Sequence, residues 1–264
     1  MTIPPDICRC LEQYFDKILV VSIPRLVERH KKIAKNLEGL SFEMFWGVDH
    51  QTLDMEQLKQ NGIYNEKTTL KVNRYIMALR PGEIACSLSH RMLYETMIRE
   101  QWNKVLVLED DVIPLTDNMK KIPEMLTELP EDWELVYFGY LRHEKVTNRM
   151  RVKQFFYKIS SSVGLMKWSY KMVNNLFPKP YTKHLKKAGF HDCTHAYALT
   201  LPGAEKLVKA QTPVVHTADD LFSYLVMNGK LNAFVTEPKF FDQEIFHDKS
   251  ETSEVQVVKK VKAT

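Results

Sequence analysis

Three consecutive acidic residues, Glu109, Asp110 and Asp111, directly follow a short apolar run at residues 104–108. The run predicts a strand buried on both faces of a parallel sheet, and ligands bind at the carboxyl ends of such strands. Adjacent carboxylates repel one another, and a hard divalent cation such as Mn²⁺ or Mg²⁺ relieves that repulsion and bridges to phosphate groups. The alternative is a solvated acidic loop with no function.

Strand geometry separates the three acids. If the chain stays extended, Glu109 and Asp111 face one side of the strand and Asp110 faces the other. Asp111 is therefore the predicted direct metal ligand, and Glu109 either assists on the same face or holds the ribose of a nucleotide. His247 follows the last predicted strand and is a further candidate ligand, although an ordinary surface histidine is the simpler interpretation.

A second acidic pair, Asp219 and Asp220, opens an apolar helical segment at residues 217–228. Thr217 and Asp220 have the spacing of a capping box, which gives Asp220 a structural task. Asp219 has no such task in the sequence, and the helix dipole keeps a carboxylate in the first turn ionised. We therefore predict Asp219 as the general base that takes a proton from a sugar hydroxyl, with Asp220 as the alternate catalytic residue.

The elements that must position these acids alternate along the chain. Strands are predicted at residues 17–23, 41–48, 104–108, 132–139, 195–201 and 232–236. Helices are predicted at residues 26–37, 203–210 and 217–228, and a further helix of about four turns follows the turn at residues 80–83. This alternation is typical of an α/β layered fold with a mostly parallel central sheet.

Composition fits a globular protein. A chain of 264 residues with 44% hydrophobic residues has room for one large α/β domain or two small ones, and we predict a single domain over 1–264. The net charge of +4 alone implies no polyanionic partner. No apolar stretch is long enough to span a bilayer, and prolines interrupt the N-terminal segment, so we expect a cytoplasmic protein with, at most, peripheral contact at the inner face of the cell membrane.

The segment 151–190 contains no acidic residue, yet it carries nine lysine and arginine side chains interleaved with aromatic residues. This composition predicts a basic insert on the acceptor side, attracted to a phosphorylated acceptor or to an anionic membrane surface. The same composition could bind single-stranded nucleic acid, or the aromatic residues could simply pack within a solvated insert. We expect no nucleic-acid partner.

Three segments together resemble glycosyltransferase family 25, the group of lipopolysaccharide and collagen galactosyltransferases. The first is the strand and basic turn at residues 20–29. The second joins the Pro-Gly-Glu-Ile-Ala-Cys-Ser-Leu-Ser-His block at 81–90 to Val-Leu-Glu-Asp-Asp-Val at 107–112. The third is His-Ala-Tyr-Ala-Leu-Thr at 195–200 with Gly-Ala-Glu-Lys-Leu at 203–207, followed by Ala218 and Asp219. The resemblance runs from about residue 17 to 250.

This resemblance implies a GT-A (Rossmann-like) fold, a UDP-sugar donor that is commonly UDP-galactose, a Mn²⁺ or Mg²⁺ ion, inversion at the anomeric carbon and a glycan or glycolipid acceptor such as lipopolysaccharide. It supports the acidic triplet as the metal and nucleotide motif, and Asp219 as the acidic position before the late helix. It further implies the following residues near the donor: Arg25, Arg29 and Asp49 at the nucleotide, and Glu83, Ser89 and His90 in the donor pocket.

Two other functions remain open on the sequence. A nucleotidyltransferase that makes nucleotide-sugars would also hold a metal on acids, but that class usually opens with a Gly-rich phosphate loop, which Pro24-Arg25-Leu26 is not. A non-catalytic module that binds anionic surfaces or nucleic acid through 151–190 would bind without Asp111 and lose affinity steeply with salt.

Overall fold

The computed structural model describes residues 2–73 and 76–246. Its helices are α1 (Pro5–Tyr14), α2 (Val27–Asn36), α3 (Met55–Gln60), α4 (Glu66–Val72), α5 (Pro81–Arg99), α6 (Thr116–Met119), α7 (Ile122–Thr127), α8 (Asn148–Ser162), α9 (Tyr170–Asn174), α10 (Leu201–Ala210) and α11 (Ala218–Met227). Its strands are β1 (Lys17–Ser22), β2 (Glu43–Trp46), β3 (Lys104–Glu109), β4 (Val112–Pro114), β5 (Leu135–Leu141), β6 (Lys179–Pro180), β7 (Leu185–Lys187), β8 (Asp192–Thr200), β9 (Ala233–Thr236) and β10 (Phe241–Gln243). Short 3₁₀ helices cover His50–Thr52 and Glu244–Phe246.

Eight strands form the central sheet in the order β2-β1-β3-β8-β5-β9-β7-β6, and β4 pairs with β10 in a separate ribbon. Strands β1, β2, β3, β5, β6 and β9 run in one direction, whereas β7 and β8 run in the other. The prediction of an α/β fold with a mostly parallel sheet, of the GT-A Rossmann-like kind, is confirmed. The antiparallel β8 lies beside β3, next to the acidic triplet.

Helices cover both faces of the sheet, and the side chains of β3 contribute to a hydrophobic cluster on each face. Leu106 and Leu108 pack into a cluster with α1, α2 and α7, whereas Val105 and Val107 pack into a cluster with α5, α10 and α11. Side chains of a strand alternate between faces. A continuous apolar run is therefore what a strand with helices on both sides requires.

The segment 151–190 divides into two parts. Its first part continues α8 and contains α9, and its second part supplies β6 and β7, which extend the edge of the main sheet beyond β9. The role of this segment on the acceptor side, and the assignment of 1–264 to one domain, stay predictions. Among the described residues, no helix combines the length and the apolar composition needed to cross a bilayer.

Candidate active site

A cavity of about 140 Å³ opens at the carboxyl ends of β1 and β3. Its lining comes from the ends of these strands and the residues after them, from α2, α5 and the 3₁₀ helix at His50–Thr52, and from one residue of β10. The polar members are Ser22, Arg29, His50, Cys86, Ser89, His90, Glu109, Asp110, Asp111 and Gln243. Parallel strands end at a common edge, so β1 and β3 bring residues far apart in the sequence to one place. The acidic triplet and the Gly82–His90 block are thus brought together.

Asp110 faces α2 and is held by the protein's own donors. Arg29 Nη1 lies 2.8 Å from Asp110 Oδ1, and the Ser22 hydroxyl donates to Asp110 Oδ2. His30 Nε2 lies 3.1 Å from the Ser22 oxygen and extends this network. Both carboxylate oxygens therefore have partners, and a charged guanidinium balances the buried charge, which is the condition under which a buried carboxylate is tolerated.

Glu109 faces α5, on the opposite side of the sheet from Asp110. Thr194 Oγ1 donates to Glu109 Oε1 at 2.6 Å, and His90 Nε2 lies 3.6 Å from the same oxygen. Burial pushes the pKa of Glu109 upward, but hydrogen bonds from His90 and Thr194 and the charge of His90 outweigh burial, so the pKa falls below its usual value. His90 is itself oriented by the Tyr197 hydroxyl, 2.8 Å from Nδ1. Glu109 is thus held as a carboxylate.

Asp111 differs from both neighbours. The chain turns at Asp110 and Asp111, because the separate ribbon of β4 and β10 begins after them. The prediction that Asp111 lies in an extended chain on the same side as Glu109 is therefore wrong beyond Glu109. Asp111 Oδ1 is buried and has no hydrogen-bond partner among residues 2–73 and 76–246. Burial, followed by the charges of Glu109 and Asp110, raises the pKa of Asp111 to about 7, although the charge of Arg29 and a side-chain hydrogen bond with Gln243 oppose this rise.

An orphaned, buried carboxylate oxygen beside two other carboxylates fits a divalent cation. Within the acidic triplet, Asp111 and Glu109 are the candidates to hold one, because both carboxylate oxygens of Asp110 already have partners. A mixed set also exists, because Sγ of Cys86, Nε2 of His90 and an oxygen of Glu109 lie within 4.8 Å of one another. Burial raises the pKa of the Cys86 thiol well above its usual value, as it raises the pKa of Asp111, and a bound cation would favour the deprotonated form of either group. Hard cations such as Mn²⁺ and Mg²⁺ prefer oxygen ligands, which favours Asp111 and Glu109 over the thiol. His247 lies outside the described residues.

The other residues predicted near the donor take up different places. Arg25 Nε lies 2.6 Å from Asp49 Oδ2, and Asp49 also accepts from the Gln51 amide. Ser89 lines the cavity, and its hydroxyl oxygen accepts from the Val48 amide at 2.8 Å. Position 47, between β2 and Val48, requires glycine, because a Cβ there would lie 2.5 Å from the Ser89 hydroxyl oxygen.

Glu83 serves the start of α5. Its two carboxylate oxygens lie 2.7 Å from the backbone nitrogen and from Nη2 of Arg80, which closes a capping interaction at the first turn. The neighbouring Gly82 lines the cavity. Glu83 therefore sets where α5 begins, and α5 in turn carries Cys86, Ser89 and His90 into the cavity. Direct contact between Glu83 and a donor stays a prediction.

The start of α11 corrects one inference from the sequence. Thr217 is the N-cap, and its hydroxyl oxygen accepts from the Asp220 amide at 3.3 Å, as the capping pattern predicts. The premise that Asp219 has no structural task is wrong. Asp219 Oδ1 accepts from the Thr217 hydroxyl at 2.6 Å and from the Asp220 amide at 2.9 Å. The carboxylate of Asp219 thus helps to build the helix start, because helix-start amides need acceptors.

Asp219 also reaches across to β8. Its Oδ2 accepts from the Cys193 backbone amide at 3.2 Å, and Cys193 adopts φ +73°. Non-glycine residues with such φ values are uncommon and cluster at functional sites. The charge of Asp219 contributes to raising the pKa of Cys86, which lines the cavity. Asp219 therefore lies near the acidic centre, held between α11 and β8.

A second cavity of about 340 Å³ lies on the other side of the α11 start. Its lining includes Lys167, Trp168, His216, Asp220 and Tyr224. The rings of His216 and Tyr224 are stacked with centroids 4.9 Å apart. Burial lowers the pKa of His216 to about 4, so that the ring is neutral near pH 7. Asp220 thus lines the second cavity, whereas Asp219, adjacent in the chain, is directed toward β8 through the Cys193 amide.

Comparison with known proteins decides the family. The family model described as glycosyltransferase family 25 (LPS biosynthesis protein) matches residues 15–222. The chain belongs to this family. The matched range contains the acidic triplet and the 81–90 block, which line the first cavity, together with β8 and the start of α11.

Family-25 relatives include proteins named as enzymes and proteins named as inactive. Procollagen galactosyltransferase 2 from Mus musculus is 28% identical over 204 residues, covering 74% of this chain and 28% of that protein. Inactive glycosyltransferase 25 family member 3 from Mus musculus is 26% identical over 212 residues, covering 75% of this chain and 29% of that protein. The chain thus spans under a third of the length of these relatives.

Among solved structures, A197 from STIV aligns with 83% of this family-25 chain and 81% of its own, with a TM-score of 0.35 and 11% identity. A likeness this low carries no argument about the site.

The sequence interpretation missed the side chains that hold the acids. Ser22, Thr194 and Tyr197 each donate to or orient a predicted site residue. All three lie on strands that flank or include the apolar runs, and Thr194 and Tyr197 come from β8, the neighbour of β3. Polar residues within otherwise apolar strands were the available signal, because a buried hydroxyl needs a partner.

Proposed function

We propose that this family-25 protein is a metal-dependent, inverting glycosyltransferase that moves a hexose, galactose in the first instance, from a UDP-sugar to a hydroxyl group of a glycan acceptor such as lipopolysaccharide. The observation that carries the proposal is the orphaned Asp111 Oδ1 in a cavity shared with Glu109 and Asp110. Galactose is suggested by the galactosyltransferase relative, and the acceptor class by the description of the family.

The donor side rests on charge. Asp111 and Glu109 would hold Mn²⁺ or Mg²⁺, and the ion when bound would supply positive charge beside a diphosphate leaving group. Arg29 keeps a further cationic group at the cavity wall through its bond to Asp110. The Glu109 carboxylate is pre-oriented by Thr194 and His90, which reduces the reorganisation needed when charge develops.

The acceptor side rests on Asp219. A carboxylate oxygen can accept two hydrogen bonds, so the bond from Cys193 to Oδ2 leaves capacity for an acceptor hydroxyl. In the proposed step, Asp219 takes the hydroxyl proton while the hydroxyl oxygen attacks the anomeric carbon from the face opposite the phosphate. The bond from that carbon to the phosphate oxygen breaks, and UDP leaves with the electron pair. Asp220 is the alternate base.

The second cavity supports an acceptor site beside Asp219. Its walls combine the aromatic faces of Trp168 and Tyr224 with the polar groups of Lys167 and Asp220, and sugar-binding pockets join apolar or aromatic walls with a few placed polar groups. On this proposal a glycan chain would lie in the second cavity with its reacting hydroxyl directed toward Asp219.

The deciding experiment measures release of UDP from UDP-galactose and other UDP-sugars with Mn²⁺, with Mg²⁺ and with a chelator. The proposal predicts release that requires the metal and that rises with a galactose-accepting lipopolysaccharide fragment. Glu95→Gln is a matched control, because Glu95 is an acid on the outer part of α5, paired with Arg91. If no UDP-sugar binds or turns over under any of these conditions, the proposal fails.

A second candidate function is supported by the inactive family member among the relatives. A non-catalytic protein would bind its anionic partner through the basic segment 151–190 whether or not Asp111 is present. Salt-sensitive binding without turnover, unchanged in Asp111→Asn, would favour it. The cytoplasmic location that we propose alongside transfer would be tested by fractionating cells.

A further inference from the structure

Helix α8 has an unusual environment. It spans fifteen residues, Asn148–Ser162, and none of them is buried. Its inner face meets the rest of the protein through Gln154, whose amide donates to the Val173 carbonyl at 2.7 Å, and through Ser161, whose hydroxyl donates to the Trp168 carbonyl at 2.7 Å. Met150 and Tyr157 pack beside them in a small cluster with α9. One narrow face thus attaches the helix.

The face directly opposite is apolar. It is formed by residues spaced three and four apart, which lie on one side of a helix; they are Val152, Phe155, Phe156, Ile159 and Val163, with exposed fractions of 57%, 60%, 60%, 49% and 64%. We call this set the α8 stripe. Leu165, in the turn that follows, is a further exposed apolar residue, at 79%. Exposed apolar residues scattered singly are ordinary, but a contiguous stripe marks a binding surface.

Basic residues border the α8 stripe on both sides. By helical rotation, Arg149 and Lys153 lie along one edge, and Arg151 and Lys158 lie along the other. No acidic residue occurs between Glu144 and Asp192. Both edges of the stripe are therefore cationic, and no nearby acid of the same segment cancels the charge.

We infer that α8 docks in the plane of an anionic lipid bilayer, with the α8 stripe inserted among the acyl chains and the two basic edges at the headgroups. An in-plane helix of this type has an apolar face, a polar face and lysine or arginine at the boundary. Each boundary cation gains from the negative surface potential. A protein groove would also accept the stripe, but cations along both edges match a broad anionic plane better than a narrow groove.

The position of α8 places the inferred bilayer near the proposed acceptor cavity, but the inference about lipid binding does not depend on the proposed transfer reaction. The turn after α8 supplies Lys167 and Trp168, which line the second cavity. A bilayer under the α8 stripe would thus lie near the cavity that we propose for the acceptor, as a membrane-borne glycolipid would require. Binding to lipid can be measured without donor, metal or acceptor, so it can fail while the proposed transfer holds, and the converse is equally possible.

The test is co-sedimentation of the full chain with vesicles of phosphatidylcholine alone or of phosphatidylcholine with phosphatidylglycerol. The wild-type protein should bind the anionic vesicles and lose affinity as salt rises. The double variant Phe155→Ser with Phe156→Ser should weaken this binding at least about tenfold. Arg151→Gln with Lys158→Gln should reduce the preference for anionic over neutral vesicles.

A matched control removes apolar side chains exposed elsewhere. Val27→Ser with Met92→Ser changes residues on α2 and α5 that are 53% and 40% exposed, and it should leave vesicle binding unchanged. Circular dichroism and unfolding temperature should match wild type in all variants, because the four changed α8 residues are not buried and the two control residues are exposed.

Three outcomes would overturn the inference. The first is no binding of wild type to anionic vesicles at low salt. The second is full binding by the Phe155→Ser, Phe156→Ser variant, which would assign lipid binding to charge in another segment. The third is a dimer in sedimentation velocity that this variant abolishes, because the α8 stripe would then be covered by a second copy of the chain.

Discussion

Two groups of acids, at the end of β3 and at the start of α11, look alike in the sequence but are treated differently by the fold. At the α11 start, Asp219 accepts from the Thr217 hydroxyl and from two backbone amides, those of Asp220 and Cys193. At the β3 end, Glu109 and Asp110 have comparable partners, but Asp111 Oδ1 has none within the described part of the chain.

The difference shows which of these carboxylates needs a ligand, such as a cation, from outside the chain. At the helix start, the carboxylate of Asp219 accepts hydrogen bonds from the Asp220 and Cys193 amides, which need acceptors. Asp111 has the opposite environment, since burial and two neighbouring negative charges raise its pKa. A cation would reverse both penalties at Asp111, whereas Asp219 needs none. The comparison therefore favours our proposal that a metal binds at the strand end and that proton transfer takes place at the helix start.

The largest expected effect is on metal-dependent transfer and comes from changing Asp111 at the strand end. Asp111→Asn keeps the size of the side chain and removes its charge, so metal-dependent transfer should fall by about 10³-fold or more, since a catalytic metal contributes several kcal/mol. Initial rates with Mn²⁺ and UDP-galactose measure it. Turnover within tenfold of wild type would contradict the assignment, and Glu95→Gln should stay near wild type.

The pH dependence of stability sharpens the same point. Between about pH 4 and pH 7 the unfolded Asp111 ionises while the folded one stays protonated, so metal-free stability should fall as pH rises and then level off. The loss attributable to Asp111 between about pH 5 and pH 7 is on the order of 2 kcal/mol.

Thermal or urea unfolding in a chelator, compared between wild type and Asp111→Asn, isolates this contribution. The variant should lack the decline, so the difference between the two proteins should grow with pH. Added Mn²⁺ should stabilise wild type more at about pH 8 than at about pH 5, because metal competes with the proton on Asp111. Parallel pH profiles for the two proteins would show that Asp111 is not the group responsible.

Changing Asp219 at the start of α11 should lower turnover without affecting folding. Asp219→Asn retains one oxygen that can accept from Thr217 and Asp220, but it loses the basic carboxylate, so kcat should fall by about 10²-fold or more while the KM for donor changes little. Asp220→Asn is the paired test of the alternate base. If Asp219→Asn turns over normally and Asp220→Asn does not, the two roles are exchanged.

Much of the strand-end geometry could be predicted from the sequence because it follows from strand periodicity. The apolar run at 104–108 became β3, and alternation correctly separated Glu109, which meets His90 of α5, from Asp110, which meets Arg29 of α2. The turn at Asp110 and Asp111 could not be predicted, because it depends on β4 leaving the main sheet to pair with β10.

The partners of Asp219 depend on still more distant structure. The Cys193 amide points toward Asp219 where β8 and β5 pair irregularly, with register shifts between Tyr137 and Leu141. No glycine marks the positive φ at Cys193, so the local sequence carries no signal for it. For α8, periodicity reveals two faces, but only the packing against α9 decides which face meets solvent.

The smallest expected effect concerns Asp110, whose two carboxylate oxygens both have hydrogen-bond partners. Ser22→Ala removes the hydroxyl that donates to Asp110 and leaves Arg29 in place. Loss of one hydrogen bond to a charged group should lower the free energy of unfolding by about 1.5–3 kcal/mol. The metal concentration that gives half-maximal rate should stay within about threefold, because we do not assign Asp110 to the metal. Urea unfolding and a Mn²⁺ titration of rate give the two numbers. A tenfold weaker metal response with unchanged stability would mean that Asp110, not Asp111, holds the ion, and the contrast between a satisfied and an orphaned carboxylate would then lose its meaning.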